Sequence, residues 1–495
     1  MKKLIYFIVS GLVVLSGCEK SDFLKESPED RFVTGNFYSS AKDAQSAVDA
    51  VYQNLYSIYQ RNMILLNDLP TDDEKNGLGM PNQFLQDLEF LRYTSENTFV
   101  RDMWQQNYSG ISRANSVLNN IGKITMDEEL KSRLLAEASF LRALYYFNLV
   151  RFYGDVPLIL KLDNLNDALI PRSPTTEVYA QIISDLQFAE GNLPPKYSNT
   201  NFGRATSGAA KILLGKVYLT MHDFQNATSK LAEVVDNEGQ YGYGLHSNFA
   251  SNWKIATENG LESVFSIEFM QAPGVPNGQM SLQGPKYSVP GGGVPGIVSG
   301  NEADIPTVDL YSRYENSDAR KQVTFKLEYL SPTNGTIYTS SIPLFGKYWE
   351  EGENITNNSD VNNHIIRYAD ALLLYAEALN ETGNTGKAIT VLNRVRERAF
   401  QGPDHNYTSL SQTDFRDAVY LERRLELANE GHRWFDLVRT NRLFEVLKAH
   451  GTLEAQLAEK NKTTITSNAK EYQSLYPIPQ REMDLNKLLT QNPGY

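Results

Sequence analysis

"ADALLLYAEALNETGNTGKAITVLNRVRERA" (residues 369–399) places Ala376 twelve residues before Ala388 and sixteen before Leu392. The stretch "AKILLGKVYLTMHDFQNATSKLAEVV" (210–235) repeats the arrangement, with Gly215 twelve residues before Ala227 and sixteen before Leu231. In both, apolar residues recur at steps of three and four on either side of a short polar turn. That is the pattern of two amphipathic helices folded back on one another. The small residues let the paired helices approach closely, and the bulky ones fill the groove beside them.

This spacing resembles the tetratricopeptide repeat, a helix–turn–helix unit of about 34 residues. Such units stack, and fewer than three rarely hold together alone. Helices around 41–60 and 129–152 are therefore expected in the same stack. The first carries the apolar stripe Ala44, Ala47, Val48, Val51, Leu55 and Ile58; the second should stop at Gly154 and Pro157. Ser173 and Pro174 read as an N-cap and first helical position, opening a helix to about Gly191. Between about 240 and 360 the texture changes. "SVFSIEF" and "VTFKLEYL" alternate like short half-buried strands, and 13 of the 30 residues from Gln271 to Gly300 are Gly or Pro. The expected fold class is mostly α: a tetratricopeptide-repeat-like helical scaffold with a loop-rich elaboration carrying a few short strands.

Cys18 is the only cysteine among 495 residues. One cysteine excludes disulfides, zinc clusters and CxxC redox pairs within the chain. Lys2 and Lys3 precede a 14-residue uncharged run, Leu4 to Gly17. That run is shorter than the roughly 20 apolar residues of a spanning helix and fits the apolar region of a secretory leader. Its end, Leu15-Ser16-Gly17-Cys18, resembles the bacterial lipobox, whose cysteine is lipidated. The expected organisation is a leader at 1–17, a lipidated tether at 18–40 and a single body at 41–495 with the loop-rich insertion at about 240–360. Loss of Lys2 and Lys3 leaves 45 basic against 59 acidic residues, a net charge of −14. Such a chain repels nucleic acid and anionic head groups, so the acyl anchor must supply the membrane affinity.

Familiar enzyme motifs are missing: there is no HExxH, GxSxG or GxxxxGK[ST]. Six histidines include no pair three to five residues apart, which argues against a helical His–His metal site. No cofactor is implied. A glycoside hydrolase, needing two carboxylates roughly 5–10 Å apart, and a helical-repeat scaffold for proteins are the alternative classes.

Five stretches point further: "FLRALYYFNLVRFYGDVPL" (140–158), "IIRYADALLLYAEALNETG" (365–383), "VLNRVRERAF" (391–400), "ERRLELANEGHRWFDLVRTNRL" (422–443) and "LYPIPQREMDLNKLLTQNPGY" (475–495). Together they resemble the SusD/RagB family. The resemblance implies an outer-membrane, surface-exposed lipoprotein that binds a nutrient glycan, or in some members peptide, without catalysis. It also implies a SusC-like TonB-dependent transporter as partner. Arg367, Asp370, Glu377, Glu426, Glu430, His432, Arg433, Trp434 and Asp436 lie in or beside apolar-striped helices. They read as buried ion pairs and hydrogen bonds fixing helix register, and "PIP" with "QNPGY" as a terminal segment laid on the body.

Sugar sites combine an aromatic face with amide or carboxylate partners. Trp104 and Asn107 have a W-x-x-N spacing that resembles the glycan-contacting pair of the family's starch-binding member, and both could share one helix face. Asp72 and Asp73, in the polar run "NDLPTDDEKNG", could accept sugar hydroxyls. Trp349, Tyr348 and Tyr287 are further aromatic candidates.

Overall fold

The computed structural model describes residues 37–77, 82–161, 164–197, 201–270, 274–284, 301–330, 337–350, 359–456 and 468–495. The lipobox, Cys18 and Tyr287 lie outside the described residues.

Helix α1 (Ala41–Tyr59) begins with a reciprocal cap between Ser40 and Asp43 and buries the whole apolar stripe expected of it. There follow α2 (Thr98–Asn120), α3 (Glu128–Tyr153), α4 (Thr175–Asn192), α5 (Ser207–Thr220) and α6 (Phe224–Val235). After the loop-rich segment come α7 (Tyr368–Glu381), α8 (Thr385–Phe400), α9 (Gln412–Glu426), α10 (Arg433–Arg439) and α11 (Leu443–Gln456). From α2 to α8 each helix packs on the next, and α6 packs directly on α7 although more than 130 residues separate them in sequence. The insertion therefore leaves the helical stack continuous. The small-residue spacing has the meaning the sequence suggested: a Cβ added at Gly215 would fall 2.6 Å from Leu231 Cγ. At the α2–α3 crossing, a Cβ at Gly110 would come within 2.4 Å of the Tyr145 ring. Tyr145 Oη donates to the Val51 carbonyl at 2.7 Å and ties α3 to α1.

Helix α3 ends at Gly154, whose φ of +72° suits glycine. Helix α4 begins one residue later than expected. Ser173 exchanges backbone hydrogen bonds with Val156, so its backbone is committed to a β-bridge, and Asp155 Oδ1 accepts from the Thr175 amide instead.

Strands are few and paired in twos. Among the described residues, β1 (Glu74–Lys75) pairs β3 (Ile305–Pro306), β2 (Ser263–Ile267) pairs β6 (Asn363–Arg367), and β4 (Phe325–Leu330) pairs β5 (Ile337–Phe345), all antiparallel. β2 and β4 fall on the two alternating stretches expected to be strands.

The charged residues of the C-terminal motifs form a buried network. The Arg367 guanidinium donates to Glu262, Glu426 and Glu430 at 2.8–2.9 Å, and Arg398 reaches Glu262 and Glu426 at 2.6 Å. Lys347 Nζ lies 2.6 Å from Glu430. Glu430 is buried, which disfavours its charge, yet Arg367 and Lys347 outweigh this and hold its carboxyl at about 2. Because its partners come from the residue before β2, from β6, from α8 and from the end of α9, the network fixes the register in which the insertion meets the stack. The last residues lie on the body as expected. Tyr476 Oη donates to Leu66 O, its ring stacks on Trp434, and Asn492 Nδ2 reaches Tyr153 O.

Candidate functional site

The structure moves most of the expected ligand contacts into the interior. Trp104 is 3% exposed and packs its indole against Tyr108 and Tyr153, both with ring centroids 5.0 Å away. Asn107 is fully buried. Its amide donates to Met103 O at 2.7 Å, and its oxygen accepts from Asn148. The W-x-x-N pair thus belongs to the seam between α2 and α3. It continues the stripe Val100, Met103, Ile111 and Ala114, all buried, and no ligand reaches it. Asp72 and Asp73 are likewise corrected. Asp72 pairs with Arg433 and Arg424 at 2.9 Å, and Asp73 with Arg424 at 2.6 Å, so neither oxygen set is open to sugar hydroxyls. Tyr348 is 2% exposed, in a small cluster with Ile64, Phe249, Trp253 and Val361. Trp349 alone of the described aromatic candidates stays half-exposed, with the Lys326 ammonium 5.6 Å from its ring.

What the structure assembles instead is a groove along β2. Its floor is Ser266, Ile267 and Glu268; one wall is the face of α1 bearing Asp49, Tyr52, Gln53 and Tyr56. The other wall is the turn Phe202–Arg204, which enters α5. This part encloses about 360 Å³. A second part of about 210 Å³ continues past Phe202 toward Tyr241, Tyr243 and Asn259. Phe202 is 47% exposed, an unusual degree for a phenyl ring beside a polar floor.

The polar groups are held in place. Arg204 pairs with Asp49 and, at 2.7 Å, with buried Glu137, while its guanidinium lies 5.5 Å over the Tyr52 ring. Tyr56 donates to Glu268 O at 2.6 Å and rests edge-on against Phe269. The Glu268 side chain accepts at Oε2 from Asn259 and Asn362, both at 2.8 Å, while Oε1 has no hydrogen-bond partner among the described residues. Burial raises the Glu268 carboxyl above its ordinary value, an effect that the two asparagine amides only partly offset. Beside it Glu258 is pushed up to about 7 by burial, with the carboxylates of Glu268, Asp360 and Glu350 adding to the effect. Gly203, at φ +80°, lets the turn come down on Glu268: a Cβ there would meet its Cγ at 2.5 Å. The groove therefore offers exposed aromatic carbon and a fixed cation–carboxylate pair, with the unpartnered Glu268 oxygen buried beneath the Gly203 turn.

Sequence reasoning passed over these residues. Tyr52 and Tyr56 sit on a helix whose other face is core. Phe202 was the available signal, a lone aromatic within the polar run "SNTNFGRATSG".

Fold and groove together define a helical-repeat binding protein in which an insertion, joined to the stack by buried ion pairs, builds an open aromatic cleft. The chain belongs to the SusD family. The SusD family profile matches residues 302–495, and a profile described as "Starch-binding associating with outer membrane" matches residues 22–219. SusD-like protein P2 of Formosa agariphila is 31% identical over the whole of both chains. The starch-binding protein SusD of Bacteroides thetaiotaomicron is 24% identical, covering 88% of this chain and 86% of its own. Among solved structures, a laminarin-binding SusD-like protein superposes with a TM-score of 0.77 at 29% identity, covering 92% of this chain and all of the other. A SusD homologue from B. thetaiotaomicron gives 0.81 at 27% identity, covering 93% of this chain and 98% of its own.

Proposed function

We propose that this chain is a non-catalytic glycan-binding lipoprotein, lipidated at Cys18 and held at the surface of the outer membrane. It captures oligosaccharide along the β2 groove and delivers it to a SusC-like TonB-dependent transporter. The observation that carries the reading is exposed Phe202 beside the half-exposed Asp49 carboxylate, which Arg204 holds in place, in one groove. A sugar ring presents both a C–H face and hydroxyl donors, and the groove has a surface for each. Family membership supports the ligand class, and the laminarin-binding relative makes laminarin the first probe.

A glycan array probed with the full-length protein, with laminarin, starch and a peptide set on the same slide, tests the ligand. Saturable binding to one glycan class, with no release of reducing ends, is the expected outcome. Binding confined to peptides would establish the RagB-like alternative, and turnover abolished by one Asp or Glu substitution would establish a hydrolase. For the anchor, Cys18→Ala should lose palmitate labelling. For the transporter, a tag on this chain should recover a large β-barrel protein in near-equal amount from gently solubilised membranes. Its recovery alone would count against the partnership.

A further inference from the structure

A further cavity lies among α3, α4, α5 and α10, and an unusual cation lines it. The Arg151 guanidinium carbon sits 3.8 Å from the centroid of Phe147 and 3.7 Å from that of Phe435, so the group is held between two phenyl rings. Its Nε donates to Phe147 O at 3.0 Å and one terminal nitrogen to Asn148 Oδ1 at 2.9 Å. Among the described residues no carboxylate lies within ion-pair distance of it.

Its neighbours are matched differently. Lys216 pairs with Asp370 at 2.9 Å, Arg423 with Asp370 and Asp436, and Arg439 with Asp436 and Glu377. His432 is held neutral by burial and by the Lys216 ammonium, which lies 3.2 Å from its Nδ1. Four cations therefore face three carboxylates, and the unmatched charge is Arg151. Burial lowers its pKa to about 10. Arg151 is nevertheless only partly buried, so its charge, neutralised by no carboxylate and only softened by the cation–π contacts, is presented to the cavity.

The cavity beside it measures about 260 Å³ and has a wall of Val150, Val438 and Leu475. Tyr179 lines the same space, packs edge-on against Phe147, and its hydroxyl has no hydrogen-bond partner among the described residues. Two kinds of unused donor thus converge next to apolar carbon. Asp436 is the sole carboxylate of the lining, and both of its oxygens are taken by Arg423 and Arg439.

We propose that this cavity is an anion site for a small organic monocarboxylate, whose headgroup rests on Arg151 and Tyr179 and whose short tail lies against Val150, Val438 and Leu475. The volume falls just below the roughly 300–1,000 Å³ of pockets for drug-sized ligands, which suits a molecule of a few carbons. The site is separate from the β2 groove and does not depend on the glycan reading.

The test is thermal melting of the full-length protein with sodium acetate, propionate and butyrate at constant ionic strength, against butanol and sodium chloride. A saturable rise in melting temperature with the carboxylates, largest for butyrate and absent with butanol and chloride, is expected. Arg151→Gln should weaken apparent butyrate affinity by about tenfold or more, the scale of a lost charge-assisted hydrogen-bond pair. Tyr179→Phe, which removes one hydroxyl and keeps the ring, should weaken it by about threefold to tenfold. Equal shifts from chloride, or an unchanged butyrate response in Tyr179→Phe, would overturn the site. The second variant decides the matter even if Arg151→Gln does not fold.

Discussion

Replacing Phe202 and Trp104 by alanine, separately, should produce opposite results. Trp104 is 3% exposed between Tyr108 and Tyr153, so truncation leaves a large apolar void at the α2–α3 seam. Buried Trp→Ala changes cost roughly 3–5 kcal/mol. Unfolding entropy near 2.1 cal/mol/K per residue gives about 1 kcal/mol/K for a body of about 450 residues, so the melting temperature should fall by about 3–5 °C. Glycan affinity of the folded fraction should not change. Phe202 is 47% exposed and supports nothing above it; its loss should alter stability by no more than about 0.5 kcal/mol. An aromatic anchor at the centre of a binding surface typically contributes about 2 kcal/mol or more, so Phe202→Ala should weaken laminarin binding at least about tenfold. Calorimetric titration with laminarin and differential scanning of the same preparations give both quantities. If Trp104→Ala loses binding with its melting temperature intact, or Phe202→Ala binds normally, the groove is the wrong surface.

Three further outcomes follow from the packing and charge. Gly215→Ala pushes a methyl into Leu231, so urea unfolding should show a loss of about 1–3 kcal/mol; a neutral result would break the link between small-residue spacing and helix contact. Arg367→Met leaves Glu262, Glu426 and Glu430 buried with one shared cation fewer and should cost about 3–5 kcal/mol, read by the same unfolding midpoint, with an unchanged midpoint counting against the network. The His432 imidazole is depressed from 6.5 to about 3, first by burial and then by Lys216, so the unfolded chain takes up a proton in this window that the native one refuses. Stability should therefore fall as pH drops from about 6.5 toward 3, and His432→Asn should flatten that slope; parallel pH profiles for the two proteins would refute it.

Much of the fold is legible because it depends on neighbours in sequence. The α1 stripe, the Gly215–Leu231 spacing, the stop at Gly154 and the alternation in β2 and β4 are each fixed by a few adjacent residues, and each is found where the local pattern puts it. The site is different because its residues take their roles from distant partners. Asp72 and Asp73 look like an open acidic turn until Arg424 and Arg433 arrive from some 350 positions away and close them. Trp104 and Asn107 did carry a usable local signal. A W-x-x-N pair that continues the Val100, Met103, Ile111 stripe faces the next helix, and the helix period should outrank the resemblance. The contrast with Arg151 makes the physical point. Its sequence setting, "FNLVRFYGD", reads as an ordinary basic residue in the last turn of a helix, where a cation is favoured by the dipole. Only Phe435, brought in from α10, turns it into a guanidinium shut between two rings, beside carboxylates already taken by other cations. A charge's partner count is a property of the packed assembly, so an unmatched charge becomes visible only there. Finding one at the wall of a cavity is what makes the cavity chemically specific.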